Sequence, residues 1–335
     1  MAYLVIGTVA QKYIGLYEAT RIFFSSPVIW FGILPLPGLP VLIALIFINL
    51  TCKLIFKSPW RWDKAGTIMA HIGVMLLLLG GLFTALFSTE GYVDLAATES
   101  KNFVTDYHAR ELVLLDDKET ILQSIPFKNI TKGETLDFAP IPLSINILDT
   151  CRHCKITKRE DAGSFSGMAQ HMQLTADKLR NDDEENISGI TFRAHDTGYL
   201  VIEGVNEFPE IEVDGKIYHF ALRRAQRALP FTIELLEFRR DMYPGTALAK
   251  SYQSRVRIID GNSRWESLIS MNEPLRYKGY TFFQSSYIAT PEGDVSVLAA
   301  VWNAGRAFPY IAGIAVCIGL IVHLFMRRKK AGGRA

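Results

Sequence analysis

Cysteine is scarce in this chain, with four in 335 residues, which excludes the disulfide-dense scaffolds of small secreted domains. Charge of one sign is equally lacking: 36 Lys and Arg stand against 34 Asp and Glu, a formal net charge of +2, so nucleic acid is not an expected partner. The c-type haem attachment motif C-x-x-C-H is absent, because Lys155 and not histidine follows Cys154. No acid, base or nucleophile constellation stands out in the polar region between Glu90 and Arg306.

What is present is a mixture of two kinds of chain. With 49% hydrophobic and 21% charged residues, the protein is too polar for a many-span transporter and too apolar in blocks for a secreted globule. The apolar blocks lie at the two ends. Leu39 to Phe56, Gly66 to Phe87 and Phe308 to Met326 each approach the roughly 20 residues a membrane-spanning helix needs. The region between the second and third is large enough for one or two domains.

The second block, GTIMAHIGVMLLLLGGLFTALF, has no formal charge and one histidine, His71. An ionisable group at that depth is costly and usually functional. A neutral imidazole is a good iron ligand, so His71 suits a membrane site for a flat, apolar, iron-bearing ligand such as haem; a hydrogen bond to a neighbouring helix is the alternative. His323 lies four positions before Arg327, and His71 seven after Lys64. At about 1.5 Å per residue both fall near one depth. His323 is a candidate second ligand or a side chain that snorkels to water. Gly73, Gly80 and Gly81 are expected to admit a helix or a macrocycle close to the His71 helix.

Charges orient the spans. Lys53, Lys57, Arg61 and Lys64 against Asp63, and the tail RRKKAGGRA, belong on the cytoplasmic side, which puts the large domain outside. That leaves Gly38 outside with no complete span before it. Residues 1–10, MAYLVIGTVA, are about half the required length and lack a basic start, so a truncated first span is expected here. Ile22 to Leu34, aromatic and interrupted by Pro27, reads as an interfacial or re-entrant segment.

The outer region has the period of strands. Leu143 to Ile147 and Thr232 to Leu235 alternate apolar and polar residues, while Ser254 to Ile259 and Tyr280 to Phe283 are rich in β-branched or aromatic residues. Asp214-Gly215, Pro244-Gly245, Asp260-Gly261 and Glu292-Gly293 mark turns. The expected fold is therefore a membrane protein whose helical spans flank a large extracytoplasmic all-β domain, sandwich-like and two-lobed. Pro142 to Asp149 echoes Pro230 to Glu237, as two related lobes would. Lys158 to Gly189, with DDEEN within it, reads as a long mobile loop.

Cys151-Arg-His-Cys154 follows a strand-like segment. Outside the cytoplasm such a pair is a structural disulfide, a redox or haem-thiol pair, or part of a metal site with His153. Cys52 and Cys317 lie in the spans, where a small apolar side chain is explanation enough.

An ensemble of motifs resembles the ResB/CcsB family of cytochrome c biogenesis proteins. It comprises Gly7-Thr-Val-Ala-Gln11, Gly15-Leu-Tyr17, the aromatic segment to Trp30, Trp62-Asp-Lys-Ala-Gly66 and His71-Ile-Gly73 to Gly80-Gly81. Tyr243-Pro-Gly245, Ser254-Arg-Val256, Tyr277-Lys-Gly-Tyr280, Phe283-Gln-Ser-Ser-Tyr287 and Asn303-Ala-Gly305 complete it. Roughly Thr105 to Asn186 carries the resemblance least. The resemblance implies a system II role: haem made in the cytoplasm is moved across a bacterial inner membrane, or a thylakoid, and attached to apocytochrome c outside. It implies transiently held b-type haem on His71 and a polytopic partner of the ResC/CcsA type. The latter's tryptophan-rich segment is missing here, with only five Trp. It also implies thiol-reducing, thioredoxin-like partners and the rank of accessory subunit in a holocytochrome c synthase complex. The family normally has a full span before Gly7, from which this chain departs. A scaffold that stabilises the partner without touching haem, and a membrane-anchored receptor, are the other readings.

Overall fold

A computed structural model describes residues 2–139, 141–246, 249–291 and 293–332. Met1, Glu292 of the expected Glu292-Gly293 turn and the last three residues of the basic tail lie outside them. The chain divides into two compact units: residues 1–90, 274–282 and 300–335, mainly helical, and residues 91–273 and 283–299, rich in β-structure.

The helical unit holds α1 (Ala2–Ile14), α2 (Leu16–Ala19), α3 (Leu39–Cys52), α4 (Ala65–Phe87) and α5 (Phe308–Gly332). The ranges Leu39–Lys57, Trp62–Phe87 and Phe308–Arg327 are long and apolar enough to cross a membrane, and they coincide with the expected spans to within a few residues. The segment read as interfacial divides at Pro27 into a π-helical turn, Thr20–Ser25, and a hairpin of β1 (Val28–Phe31) with β2 (Leu34–Pro37). Proline has no N–H to continue the helix, which accounts for the break.

Helices α4 and α5 pack through two matched rows of small residues. The buried positions of α4 are Gly66, Gly73 and Gly80; opposite them Gly305, Ala312 and Gly319 are buried. Each row repeats every seven residues, the period at which an apolar seam stays facing its neighbour in near-antiparallel packing. A Cβ on Gly73 would stand 3.0 Å from the Ala312 carbonyl oxygen, and one on Gly305 2.7 Å from that of Gly80. Gly81 takes no part in the contact with α5: a Cβ there meets nothing within 4 Å. At about 100° per residue it points off the seam, and Gly66 takes its part. Asn303 fastens the end of the seam, its Oδ1 accepting from the Thr84 hydroxyl at 3.1 Å and the Gly305 N–H at 2.7 Å.

The remaining strands are β3 (Thr89–Leu95), β4 (Ser100–Leu115), β5 (Ile121–Pro126), β6 (Thr135–Phe138), β7 (Leu143–Cys151), β8 (Cys154–Lys158), β9 (Met172–Ala176), β10 (Gly189–Ala194), β11 (Thr197–Ile202) and β12 (Glu210–Val213). They continue with β13 (Lys216–Met242), β14 (Ala249–Asp260), β15 (Ser263–Ser270), β16 (Leu275–Tyr277), β17 (Tyr280–Thr290) and β18 (Gly293–Trp302). In the β-rich unit one sheet has the order β11-β10-β7-β6, and a larger one runs β15-β14-β13-β4-β3-β18-β17, with β12 on β13 and β5 on β4. Asp214 and Gly215 turn β12 into β13 with φ of 52° and 75°, the left-handed pair that a tight hairpin requires.

The two sheets face each other, as a sandwich. Leu112 and Leu114 of β4 and Phe220 and Leu222 of β13 share one core with Ile145 and Ile147 of β7 and Ile190 and Phe192 of β10. The Phe220 ring lies 5.0 Å from Phe138 and 5.2 Å from Phe192. Strand β13 continues beyond this lobe: its register on β4 breaks between Ala228 and Ile233, and its second half pairs with β14, burying Ile233, Leu235, Val256 and Ile258. The echoing segments fall on β7 and β13, in different sheets.

The stretch 158–189, expected as a mobile loop, is built otherwise. Strand β9 returns along β8, 3-10 turns form at Gly167–Gln170 and Asp183–Glu185, and Asp183, Asn186 and Ser188 are buried. Its charge density suggested solvation, and Asp182, Glu184 and Glu185 are exposed; Asp183 is the exception, buried and paired as described next.

Candidate functional site

Two arrangements bear on function, one in each unit. In the helical unit, His71 and His323 meet at a single residue. The His71 Nδ1 lies 2.9 Å from the carbonyl oxygen of Thr67, one turn earlier on α4. The Thr67 hydroxyl lies 3.1 Å from His323 Nδ1 on α5. The glycine seam makes this meeting possible, because a side chain at Gly66 would strike the backbone of His323. A carbonyl only accepts, so the neutral His71 ring carries its proton on Nδ1 and directs a lone pair from Nε2. Both rings are half-buried. The structure thus brings together the two histidines singled out from sequence, and adds Thr67, which that reading passed over.

In the β-rich unit, Cys151 and Cys154 are joined as a disulfide, the form that a structural bridge and the oxidised state of a redox pair share. Among the described residues no group of three or more His, Cys, Asp or Glu is placed to hold a metal ion. Both sulfurs sit in a small core with Ala169, Leu174, Leu200 and Ile202. The loop between them is held as well, since Ser188 Oγ donates to the Arg152 carbonyl at 2.9 Å.

Beside the disulfide, Arg110 is buried and fully engaged. It donates to Asp183 Oδ2 at 3.1 Å, Glu203 Oε2 at 3.0 Å and the carbonyls of His108 and Asn186 at 2.7 and 2.9 Å. Asp183 also takes Arg152 at 2.6 Å and His108 Nδ1 at 2.9 Å. Burial by itself would raise the Asp183 carboxyl, but the His108 hydrogen bond and the guanidiniums of Arg110 and Arg152 outweigh it and hold the group well below the usual carboxylate range. Burial pushes the Tyr92 hydroxyl the other way, upward. The Asp183 cluster ties the 177–188 excursion to β4.

Residues 188–309 match the model of a family described as ResB-like. The chain is also similar to Protein NrfI of Wolinella succinogenes, with 23% identity over 291 residues, 84% of this chain. It spans 30% of that relative's length.

Proposed function

We propose that this chain, which belongs to the ResB-like family, is a membrane subunit of cytochrome c maturation that helps move haem across the membrane for attachment to apocytochrome c. The observation that carries the reading is the geometry at His71: an imidazole on an apolar helix whose Nδ1 lies 2.9 Å from the Thr67 carbonyl oxygen, an arrangement that in the neutral ring leaves Nε2 as a basic donor. That is the donor a haem iron takes. The residues therefore fit the group.

His71 would hold the iron through Nε2, and the uncharged course of α4 would keep water from it. The haem, b-type and transiently held, supplies the vinyl groups to which the acceptor cysteine thiols add. The orientation follows from charge. Lys53, Lys57, Arg61 and Lys64 precede α4, and Arg327 closes the third apolar range; this basic end belongs in the cytoplasm, and the β-rich unit outside. The Cys151–Cys154 disulfide suits an oxidising compartment. A bacterial inner membrane meets these conditions.

A ResC/CcsA-type polytopic protein would complete the haem site and take the haem outward. The β-rich unit would face the apocytochrome, whose thiols are kept reduced by thioredoxin-like proteins. The test is haem copurification: His71→Ala abolishes it while membrane insertion is kept, whereas unchanged haem content overturns the assignment.

A further inference from the structure

We propose that Thr67 is the positioning residue of the histidine site and that it sorts His71 and His323 into opposite tautomers. This deepens the haem reading and rests on the same helices, but it is testable without haem. The carbonyl of Thr67 fixes the first ring: at 2.9 Å it accepts from His71 Nδ1, so the lone pair of His71 lies on Nε2.

The hydroxyl of Thr67 fixes the second. A hydroxyl facing an imidazole nitrogen can donate or accept; Thr84, on the same helix, donates across the seam to Asn303 Oδ1 at 3.1 Å, and two further threonines of the helical unit donate within their own helix. The hydroxyls of Thr8 and Thr51 turn back to carbonyls four residues earlier, Leu4 at 2.7 Å and Phe47 at 2.8 Å. The Thr67 hydroxyl turns instead to His323 Nδ1 at 3.1 Å. In apolar surroundings a hydroxyl proton is costly to leave unbonded, so it is given to Nδ1. The proton of His323 then sits on Nε2.

The consequence is a division of labour between two rings of equal chemistry. His71 presents a lone pair and can ligate; His323 presents an N–H and cannot ligate through Nε2. His323 is a positioning residue that holds α5 to α4 at the level of the ligand. Gly66 is what lets its backbone come near enough.

The experiment is 15N NMR of the full chain in detergent without haem, histidine-labelled, at a pH where the rings are neutral. Resonances are assigned by their loss in His71→Gln and His323→Gln. The expected result is a proton on Nδ1 of His71 and on Nε2 of His323. Thr67→Val should leave the His71 tautomer in place, since its acceptor is backbone, and shift the His323 resonances; Thr67→Ser should restore them. A His323 proton on Nδ1, or His323 resonances indifferent to Thr67→Val, overturns the proposal. A chain with the two tautomers that never takes up haem refutes the haem reading alone, and a haem-loaded chain with both rings protonated on Nδ1 refutes this inference alone.

Discussion

Gly66 and Gly319 lie face to face across the seam between α4 and α5. A Cβ on Gly66 would stand 2.6 Å from the Gly319 carbonyl oxygen, and one on Gly319 2.8 Å from the Gly66 carbonyl oxygen. This approach sets the backbone of His323 beside Gly66 and its ring at Thr67, so the histidine site depends on two residues that have no side chain.

Gly66→Ala is therefore expected to force the helices apart, at a cost of about 1–3 kcal/mol as for other overpacked cores, and to weaken haem retention. Gly81→Ala, where a Cβ meets nothing within 4 Å, should be close to neutral. Unfolding of the two variants in mixed micelles checks this; equal stability would contradict the seam.

Asp183→Asn leaves the buried Arg110 with Glu203 as its remaining carboxylate partner, so it should destabilise by less than the about 3–5 kcal/mol of stranding a buried charge outright. The wild-type carboxyl is held below its unfolded value, which is about 3.9. Its contribution is therefore complete above that pH and fades as pH falls below it. The stability gap between wild type and variant, followed by denaturant titration, should narrow only in that acid range. A gap constant well below the ordinary carboxylate value would refute the assignment.

The disulfide closes a loop with a sequence separation of three residues, so loop-closure entropy gives it about 2 kcal/mol. Replacing both Cys151 and Cys154 with Ser should lower stability by about that amount. In the unreduced, denatured chain only Cys52 and Cys317 should react with a thiol reagent, and all four cysteines after reduction. Four reactive thiols without reductant would show the pair to be open.

Orientation is checked with single cysteines introduced into a chain lacking its own. Gly163→Cys should be labelled by a membrane-impermeant maleimide from the outer side, and Ser58→Cys only after permeabilisation. The reverse pattern would invert the membrane arrangement.

The spans and the strand texture were legible because both rest on local periodicity: 22 residues without formal charge from Gly66 and alternation at Leu143 to Ile147 each report one face or one solvent. His71 was legible as the anomaly in such a run. The inward pairing of Asp183 with Arg110 and Arg152 was not, since those residues lie far apart in sequence and a charge-dense stretch reads as solvated. Thr67 was missed because its importance comes from α5, although the matched repeats Gly66, Gly73, Gly80 and Gly305, Ala312, Gly319 could have located the contact. The family match over residues 188–309 leaves out all of the middle region, where the motifs were weakest, and also the amino-terminal half with His71, where they were frequent.

The central claim is that His71 holds haem. Its most direct test is the visible spectrum of the full chain copurified with the polytopic ResC/CcsA-type protein proposed as its partner, wild type against His71→Gly, with and without added imidazole. The account predicts a Soret band that is lost in the variant and returns with imidazole. A band indifferent to both changes would place the haem on the partner and contradict the account.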